Sequence, residues 1–471
     1  MNIKANTEKI KDKKVEILKS KAAKRSIVEG SFATVSGSFG NSYIVPFAVA
    51  ANASNPQIAW LQSFPGLLGP MSQWLSSRLI EKNSRKKIVL FAVLVEGLLW
   101  LPLIILSLLL YKGILTGIIP FLIIVFFSVY TIFSAMSGPA WFSWMGDIIN
   151  EKDRGKYFAK RNIITSIVAI ITTLMSGFLL DYFKANNELF LGFAIFFFIA
   201  MTFRLSSREL FKKQYEPKIK LEKEYYFSFF EFIKKMRSNN FGRFTIFRTT
   251  LSLTVQIAAP FFAVYMLRDL GFSYLTFTIV ILSPTIFGLL VAPLWGRFSD
   301  KYGNYQVMKI TSIGVGIIPL LWLFTRTPAQ IIFGPQLISG IAWTGFNLAA
   351  SNFIYDTVTP QRRGLCVAYY NLLNGFGIFI GASLGAIIAK YGTDFTTMNI
   401  LLVIFFISGT TRLLLDQILV RKFHEVRKVK KFSKRQSLRQ VIHKTFTGLV
   451  SIAESTHETF AIKRVIWKRP K

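Results

Sequence analysis

The sequence predicts an all-α polytopic membrane protein with twelve transmembrane helices arranged as two pseudo-symmetric six-helix bundles. Three observations carry that expectation. Long segments are free of charge, alternate links between them are basic, and the second half of the chain repeats the first.

The chain has 471 residues, 52% hydrophobic and 17% charged, fewer charges than a soluble domain carries. Its mean hydropathy is +0.43. Asp, Glu, Lys and Arg are absent from 30–77, 113–146, 162–180, 249–267, 271–296, 327–355 and 364–389. A helix needs about 20 apolar residues to cross a bilayer core, and the first run is long enough for two. The short alternating segments of a membrane β-barrel are not evident. Spans are expected at 27–50, 56–79, 87–110, 114–147, 157–182, 189–208, 244–267, 273–298, 306–325, 328–356, 364–390 and 396–420. Turn chemistry at Asn55-Pro56, Thr327-Pro328 and Gly392 separates several of them.

The net charge of +33 is distributed in a pattern. The links after spans 2 and 4 carry Arg78, Lys82, Arg85, Lys86 and Lys87, then Lys152, Arg154, Lys156, Lys160 and Arg161. The link after span 6 is long and basic. Those after spans 8 and 10 hold Arg297 and Lys301, then Arg362 and Arg363. The intervening links are nearly bare. Positive residues mark cytoplasmic loops, so every even-numbered link and both termini are expected in the cytoplasm. Residues 1–25 and 421–471 add nine and fifteen cations, which suit anionic lipid headgroups better than nucleic acid. Five regions follow: a basic tail at 1–26, a bundle at 27–210, a connector with an amphipathic helix at 211–240, a bundle at 241–420 and a basic tail at 421–471. The N-terminus lacks the apolar core of a cleavable signal peptide.

Catalytic chemistry has little to draw on. Cys366 is the single cysteine, and His424, His443 and His457 all lie in the C-terminal tail without zinc spacing. No P-loop, GxSxG, HExxH or CxxC pattern occurs. No enzyme activity, cofactor or metal is expected.

The halves repeat each other. "FFIAMTFRL" (197–205) matches "FFISGTTRL" (405–413), and "DIINEKDRGKYFAKRNII" (147–164) matches "DTVTPQRRGLCVAYYNLL" (356–373). Asp147, Arg154, Gly155 and Asn162 thereby fall on Asp356, Arg363, Gly364 and Asn371. "VPFAVA" (45–50) likewise faces "APFFAV" (259–264). Internal repeats of this kind mark secondary transporters, with the solute site between them. The link "GRFSDKYGNYQ" (296–306) aligns with "SRLIEKNSRKK" (77–87), placing Gly296, Asp300, Lys301 and Gly303 on Ser77, Glu81, Lys82 and Ser84.

With G-x-x-x-D-[RK]-x-G at Gly296, Asp300, Lys301 and Gly303, and a degenerate copy at the 2–3 link, residues 26–420 resemble the major facilitator superfamily. Asn304 and Tyr305 depart from the basic pair that the first-half copy keeps at Arg85 and Lys86. The resemblance implies a secondary active transporter of a small organic solute, symporter or antiporter, working by rocker-switch alternating access in a cytoplasmic-type cell membrane. It is expected to act as a monomer without nucleic-acid partners. The alternative is a solute sensor or membrane scaffold of the same shape.

The link residues Glu81, Lys82, Arg85, Asp147, Arg154, Gly155, Gly296, Asp300, Lys301, Gly303, Asp356, Arg363 and Gly364 are expected to form the gate. In this fold Asp300 would face the start of span 5 near Arg154, and Glu81 the start of span 11 near Arg363, each acid meeting a helix N-terminus. The resemblance places spans 1, 4, 7 and 10 around the cavity, which makes Ser38, Asn41, Trp141, Gln256, Trp343 and Asn347 the solute-contact candidates. Helix packing is the alternative for any one of them. Trp141 and Trp343 are read as comparable positions of the repeat.

Glu96 lies on the order of 13 Å beyond Lys87 along a helix, near mid-membrane. It is the candidate for proton coupling, and a buried structural acid is the alternative. Glu29 is expected to pair locally with Arg25, and Arg412 with Asp416. Arg248 and Arg268 are expected to reach opposite interfaces.

Overall fold

The computed structural model describes residues 2–80, 83–150, 153–217, 227–392 and 398–430. Glu81, Lys82, part of the connector and the tail beyond 430 lie outside the described residues. α1 runs from Asn2 through Phe39, breaks into a 3-10 turn at Asn41–Tyr43 and resumes over Ile44–Ala50. It continues without interruption through the expected boundary at 26. α2 is Asn55–Leu79, α3 Arg85–Tyr111, α4 Ile119–Ile148, α5 Arg154–Ala185 and α6 Leu189–Lys212. A connector helix, Phe229–Lys235, leads to α7 Asn240–Asp269, α8 Tyr274–Tyr302, α9 Asn304–Trp322, α10 (328–357), α11 Pro360–Tyr391 and α12 Ile400–Lys422.

Among the described residues, nine of these helices are apolar and long enough to span a bilayer on that ground alone. α1, α2 and α10 are not among the nine because Gly, Ser, Asn, Gln and Pro dilute their apolar content. Local chemistry sets the starts. Ser54 with Gln57, Ser228 with Glu231 and Thr327 with Gln330 form capping boxes, while Ser84, Asn239, Ser273 and Asn399 accept from first-turn N–H groups.

Each bundle closes in the same order. α2 packs on α4, α4 on α3, α3 on α6, α6 on α1 and α1 on α5; α8, α10, α9, α12, α7 and α11 repeat that ring. The halves meet along α2–α11 and α5–α8. Small residues permit the close crossings. On α11, Gly377, Gly381 and Gly385 face the carbonyls of Thr249, Leu253 and Ile257 on α7. Gly375 and Gly66 bring α11 against α2, and Gly177 admits Thr278 between α5 and α8.

α12 departs from α6 in one respect. Arg412–Asp416 forms a π turn. Thirteen positions separate Arg412 from Glu425, whereas twelve separate Arg204 from Glu216. The π turn absorbs that extra residue.

Candidate functional site

At the end of the bundle away from the termini, the halves are tied by hydrogen bonds. The Asp181 carboxylate on α5 accepts from the N–H groups of Tyr274 (2.7 Å) and Leu275 (2.9 Å) in the first turn of α8. Those donors lack an intrahelical partner and form the positive end of the α8 dipole, so an acid from one half caps a helix of the other. Beside it, the Tyr43 hydroxyl lies 2.9 Å from the Thr278 hydroxyl and accepts from Ser176 at 3.0 Å. Ser63 pairs with Ser383 at 3.0 Å. Arg268 donates to the Ala53 carbonyl and the Asn55 side chain. The expectation that it snorkels to an interface is corrected: its guanidinium finishes the orphan groups of the opposing turn.

At the terminus-bearing end, the repeated links build the same cluster twice. In the first half Arg85, almost fully buried, pairs with Asp147 at 2.6 Å and donates to the carbonyls of Ser143 and Pro217. Glu216, just past α6, accepts from Ser84 and from the Lys86 N–H at 3.1 Å. In the second half Glu425, just past α12, accepts from the Tyr305 N–H at 2.9 Å. Asn304 replaces Arg85 and donates to Asp356 at 2.7 Å. Arg154 reaches back to the carbonyls of Gly146 and Ile149, and Arg363 to those of Tyr355 and Val358. Each arginine therefore meets the negative end of the preceding helix.

Asp300 was expected at the start of α5. Here its side chain is 82% exposed and lies 4.0 Å from Arg427. Lys301 lies over the Tyr302 ring. A Cβ added at Gly155, Gly296 or Gly364 would meet nothing within 4 Å. Gly303 adopts φ 91°, which favours glycine, and the Glu425 carboxylate fills the space where a Cβ would stand.

A charge cluster lies inside the first bundle. Arg204 pairs with Glu96 at 2.6 Å and lies 3.8 Å from Glu29, which is also 3.8 Å from Arg161. Tyr130 donates to Glu96, and Ser207 donates to Glu29. Glu29 therefore pairs across helices rather than with Arg25, whose guanidinium donates to the Lys213 carbonyl. The Glu29 Oε2 and Arg204 Nε atoms reach no hydrogen-bond partner among the described residues. In the second bundle Arg412 instead donates to the carbonyls of Val315 and Val255, each at 3.0 Å. Asp416 accepts from Thr254, and no ion pair within 4 Å joins it to Arg412 among the described residues. The π turn places the two side chains off the ordinary i,i+4 row, which corrects the expected local pair.

The solute-contact candidates separate. Trp343 and Asn347 line one cavity of about 370 Å³ between α8 and α10, with Pro284, Thr285, Gly288 and Thr344. Arg248 on α7 lies 5.9 Å from the Trp343 ring centroid and donates to Ser252. It points into the bundle rather than to an interface. Trp141 lies under Arg161, 4.5 Å from its ring centroid. Since Asp147 aligns with Asp356, Trp343 lies seven positions deeper than the repeat mate of Trp141. The two tryptophans share a helix face but not a depth, because the shared "AW" pair is not in repeat register. Ser38 is buried, Asn41 sits in the 3-10 break of α1 and hydrogen-bonds Tyr130, and Gln256 donates to Gln62 across the halves at 2.9 Å. Asp181, Gln62, Glu216, Glu425 and Arg427 were not singled out from the sequence. For the two glutamates a signal existed, since both follow matched segments at nearly the same spacing.

Two six-helix bundles with repeat-related links and a polar boundary define a multi-pass transporter architecture. The profile described as Major Facilitator Superfamily matches residues 30–254 and 244–470, and the chain belongs to that family. Among curated relatives, the vacuolar basic amino acid transporter 1 of Saccharomyces cerevisiae is 32% identical over 95 residues, 20% of this chain and 17% of the relative. The staphyloferrin B transporter of Staphylococcus aureus is 27% identical over 121 residues, 26% of this chain and 29% of the relative. These matches span less than a third of either relative. Among solved structures, the nucleoside transporter NupG superposes with a TM-score of 0.57 at 17% identity, covering 87% of this chain and 98% of that one. An inward-facing, unoccupied bacterial homologue of the lysosomal transporter Spinster gives 0.58 at 15% identity, covering 86% and 98%. The chain is a membrane-embedded transporter of the MFS type.

Proposed function

We propose that this protein moves a small organic solute by rocker-switch alternating access, with both termini and the even-numbered links in the cytoplasm. The observation that carries the reading is the Asp181 cap. An acid on α5 holds the N-terminus of α8 across the boundary between the halves, and α8 carries its own acid, Asp300, at the opposite end beside the start of the antiparallel α5. One helix pair thus holds two reciprocal caps. The first is made in this conformation, while the second acid is exposed. Making one and releasing the other alternates access.

Lys160 on α5 and Arg297 on α8 lie at comparable depth, on the order of 25 Å from the Gly177–Thr278 crossing, and both are exposed. In a Cys366→Ser background, cysteines at 160 and 297 report cytoplasmic closure by their rate of bismaleimide cross-linking. Asp181→Ala is expected to raise that rate and Asp300→Asn to lower it, with membrane insertion unchanged. Equal rates in both variants would sink the alternating-access reading. Asp300→Asn is further expected to abolish transport.

The α8–α10 cavity is the proposed solute contact, with Trp343 supplying a ring face and Asn347 an amide. A panel of small organic solutes tested for thermal stabilisation of the purified protein identifies the class. Trp343→Ala or Asn347→Ala is expected to remove the stabilisation, and retention in both would exclude this cavity. Proton coupling is assigned to Glu29 and Glu96, two buried carboxylates that share the Arg204 guanidinium. A pH gradient that drives no solute movement would remove that assignment.

A further inference from the structure

The two terminus-side link clusters match residue for residue, with one exception. Asp147 falls on Asp356, Lys86 on Tyr305 and Glu216 on Glu425, and each pair makes the same kind of contact in its own half. Arg85, however, falls on Asn304. An amide carries no charge and is shorter than a guanidinium, so it cannot by itself both neutralise Asp356 and satisfy a link carbonyl.

We propose that Arg427, carried in by the segment beyond α12, is the missing guanidinium of the second cluster and a positioning residue of the cytoplasmic gate. Its guanidinium lies 3.4 Å from Asp356, donates to the Ser299 carbonyl at 2.8 Å and stands 4.0 Å from Asp300. It thereby touches the α10 acid, the α8 C-terminus and the gate acid together. In the first half Arg85 likewise spans the α4 acid and backbone carbonyls from a position inside α3.

The segment is built to hold Arg427 there. Phe423 is 2% exposed and packs on the rings of Phe244, Phe247, Phe353 and Tyr305. Asn240 exchanges two hydrogen bonds with the His424 backbone, and the Lys430 N–H donates to the Lys301 carbonyl. The post-α12 segment therefore links α7, α10 and the 8–9 link. Bulk basicity for topology would require none of this geometry. The second-half gate consequently depends on a piece of chain outside its bundle, whereas the first-half gate carries its guanidinium within α3.

The test moves the guanidinium back. Arg427→Gln is expected to lower the thermal midpoint of the purified full-length protein, and adding Asn304→Arg to restore most of the loss. Asn304→Arg alone should bring no gain, because two guanidiniums would then compete for Asp356. Glutamine keeps the side chain's length and polarity, so the variant is expected to fold. The gating role, which rests on the alternating-access reading, is measured with the 160/297 cysteine pair. Cross-linking should slow about threefold or more in Arg427→Gln, as loss of a partly exposed charge pair allows, and recover with Asn304→Arg. An unchanged midpoint, or a loss that Asn304→Arg leaves unrepaired, overturns Arg427 as the missing guanidinium. A repaired midpoint with cross-linking equal to the parent's in every Arg427 variant overturns its gating role. If Asp181→Ala and Asp300→Asn are also inert, that second failure belongs to alternating access itself, while the midpoint result still decides the guanidinium.

Discussion

Gly381→Ala should lower the thermal midpoint of the purified protein more than other single alanine exchanges at helical glycines facing open space. Its added methyl would lie 2.1 Å from the Leu253 carbonyl oxygen and 2.9 Å from that carbonyl carbon. These are backbone atoms in the middle of α7, so no rotamer change can relieve the contact. Gly377 and Gly385 lie one helical turn to either side and meet the Thr249 and Ile257 carbonyls at 2.5 Å. The helices would have to separate along three turns, losing dispersion contacts that drive association where lipid is as apolar as the protein. Overpacking of this kind costs about 3 kcal/mol. Gly37→Ala is the control, since nothing lies within 4 Å of its added methyl, and it should gain a few tenths of a kcal/mol or more from helix propensity, about 0.8–1.0 kcal/mol in an exposed helix. Equal midpoints for the two variants would show that the α7–α11 approach is looser than described.

Arg204→Leu has the second largest expected effect. It removes the cation that lies between Glu96 and Glu29, both at most 3% exposed. Glu96 would keep only the Tyr130 hydroxyl, and Glu29 would keep Ser207 and Arg161 at 3.8 Å. Removing one partner of a buried pair costs about 3–5 kcal/mol, because the other charge stays desolvated. Adding Glu29→Gln and Glu96→Gln should recover most of the loss, since neutral amides need no counter-ion. Denaturant or thermal unfolding in detergent measures both steps. A triple variant no more stable than Arg204→Leu would mean that Arg204 acts through packing rather than charge.

The fold was legible because lipid imposes two simple demands on sequence. Spans must be apolar, and cations collect on one side. The twelve helices and their repeat follow from that, with α1 extending beyond its expected start because helix continues past the bilayer boundary. The link motif was legible as well, since Asp300 and its glycines stand out in uncharged surroundings. The partners of the polar groups were not. Glu29 has Arg25 one turn away, yet it turns to Arg204 and Arg161. Arg412 has Asp416 at i+4, yet a π turn sends it to two carbonyls. Sequence spacing reports neighbours along one helix, whereas a guanidinium or carboxylate inside a bundle takes the partner that adjoining helices present. The tryptophan pair misled for a related reason, because a shared dipeptide does not fix helical register.

The sequence by itself determined an MFS-type transporter with two repeated halves, a probable inside face set by its cations, and the links that change partners. Tertiary structure alone decided that Asp181 caps α8 from the opposite half, that Trp343 and Asn347 share a cavity while Trp141 does not, and that Arg427 stands where Asn304 left a guanidinium unfilled. The division has a physical basis. Transfer to lipid is a sum over residues and can be read from composition, but capping, ion pairing and cavity formation depend on distances between residues hundreds of positions apart.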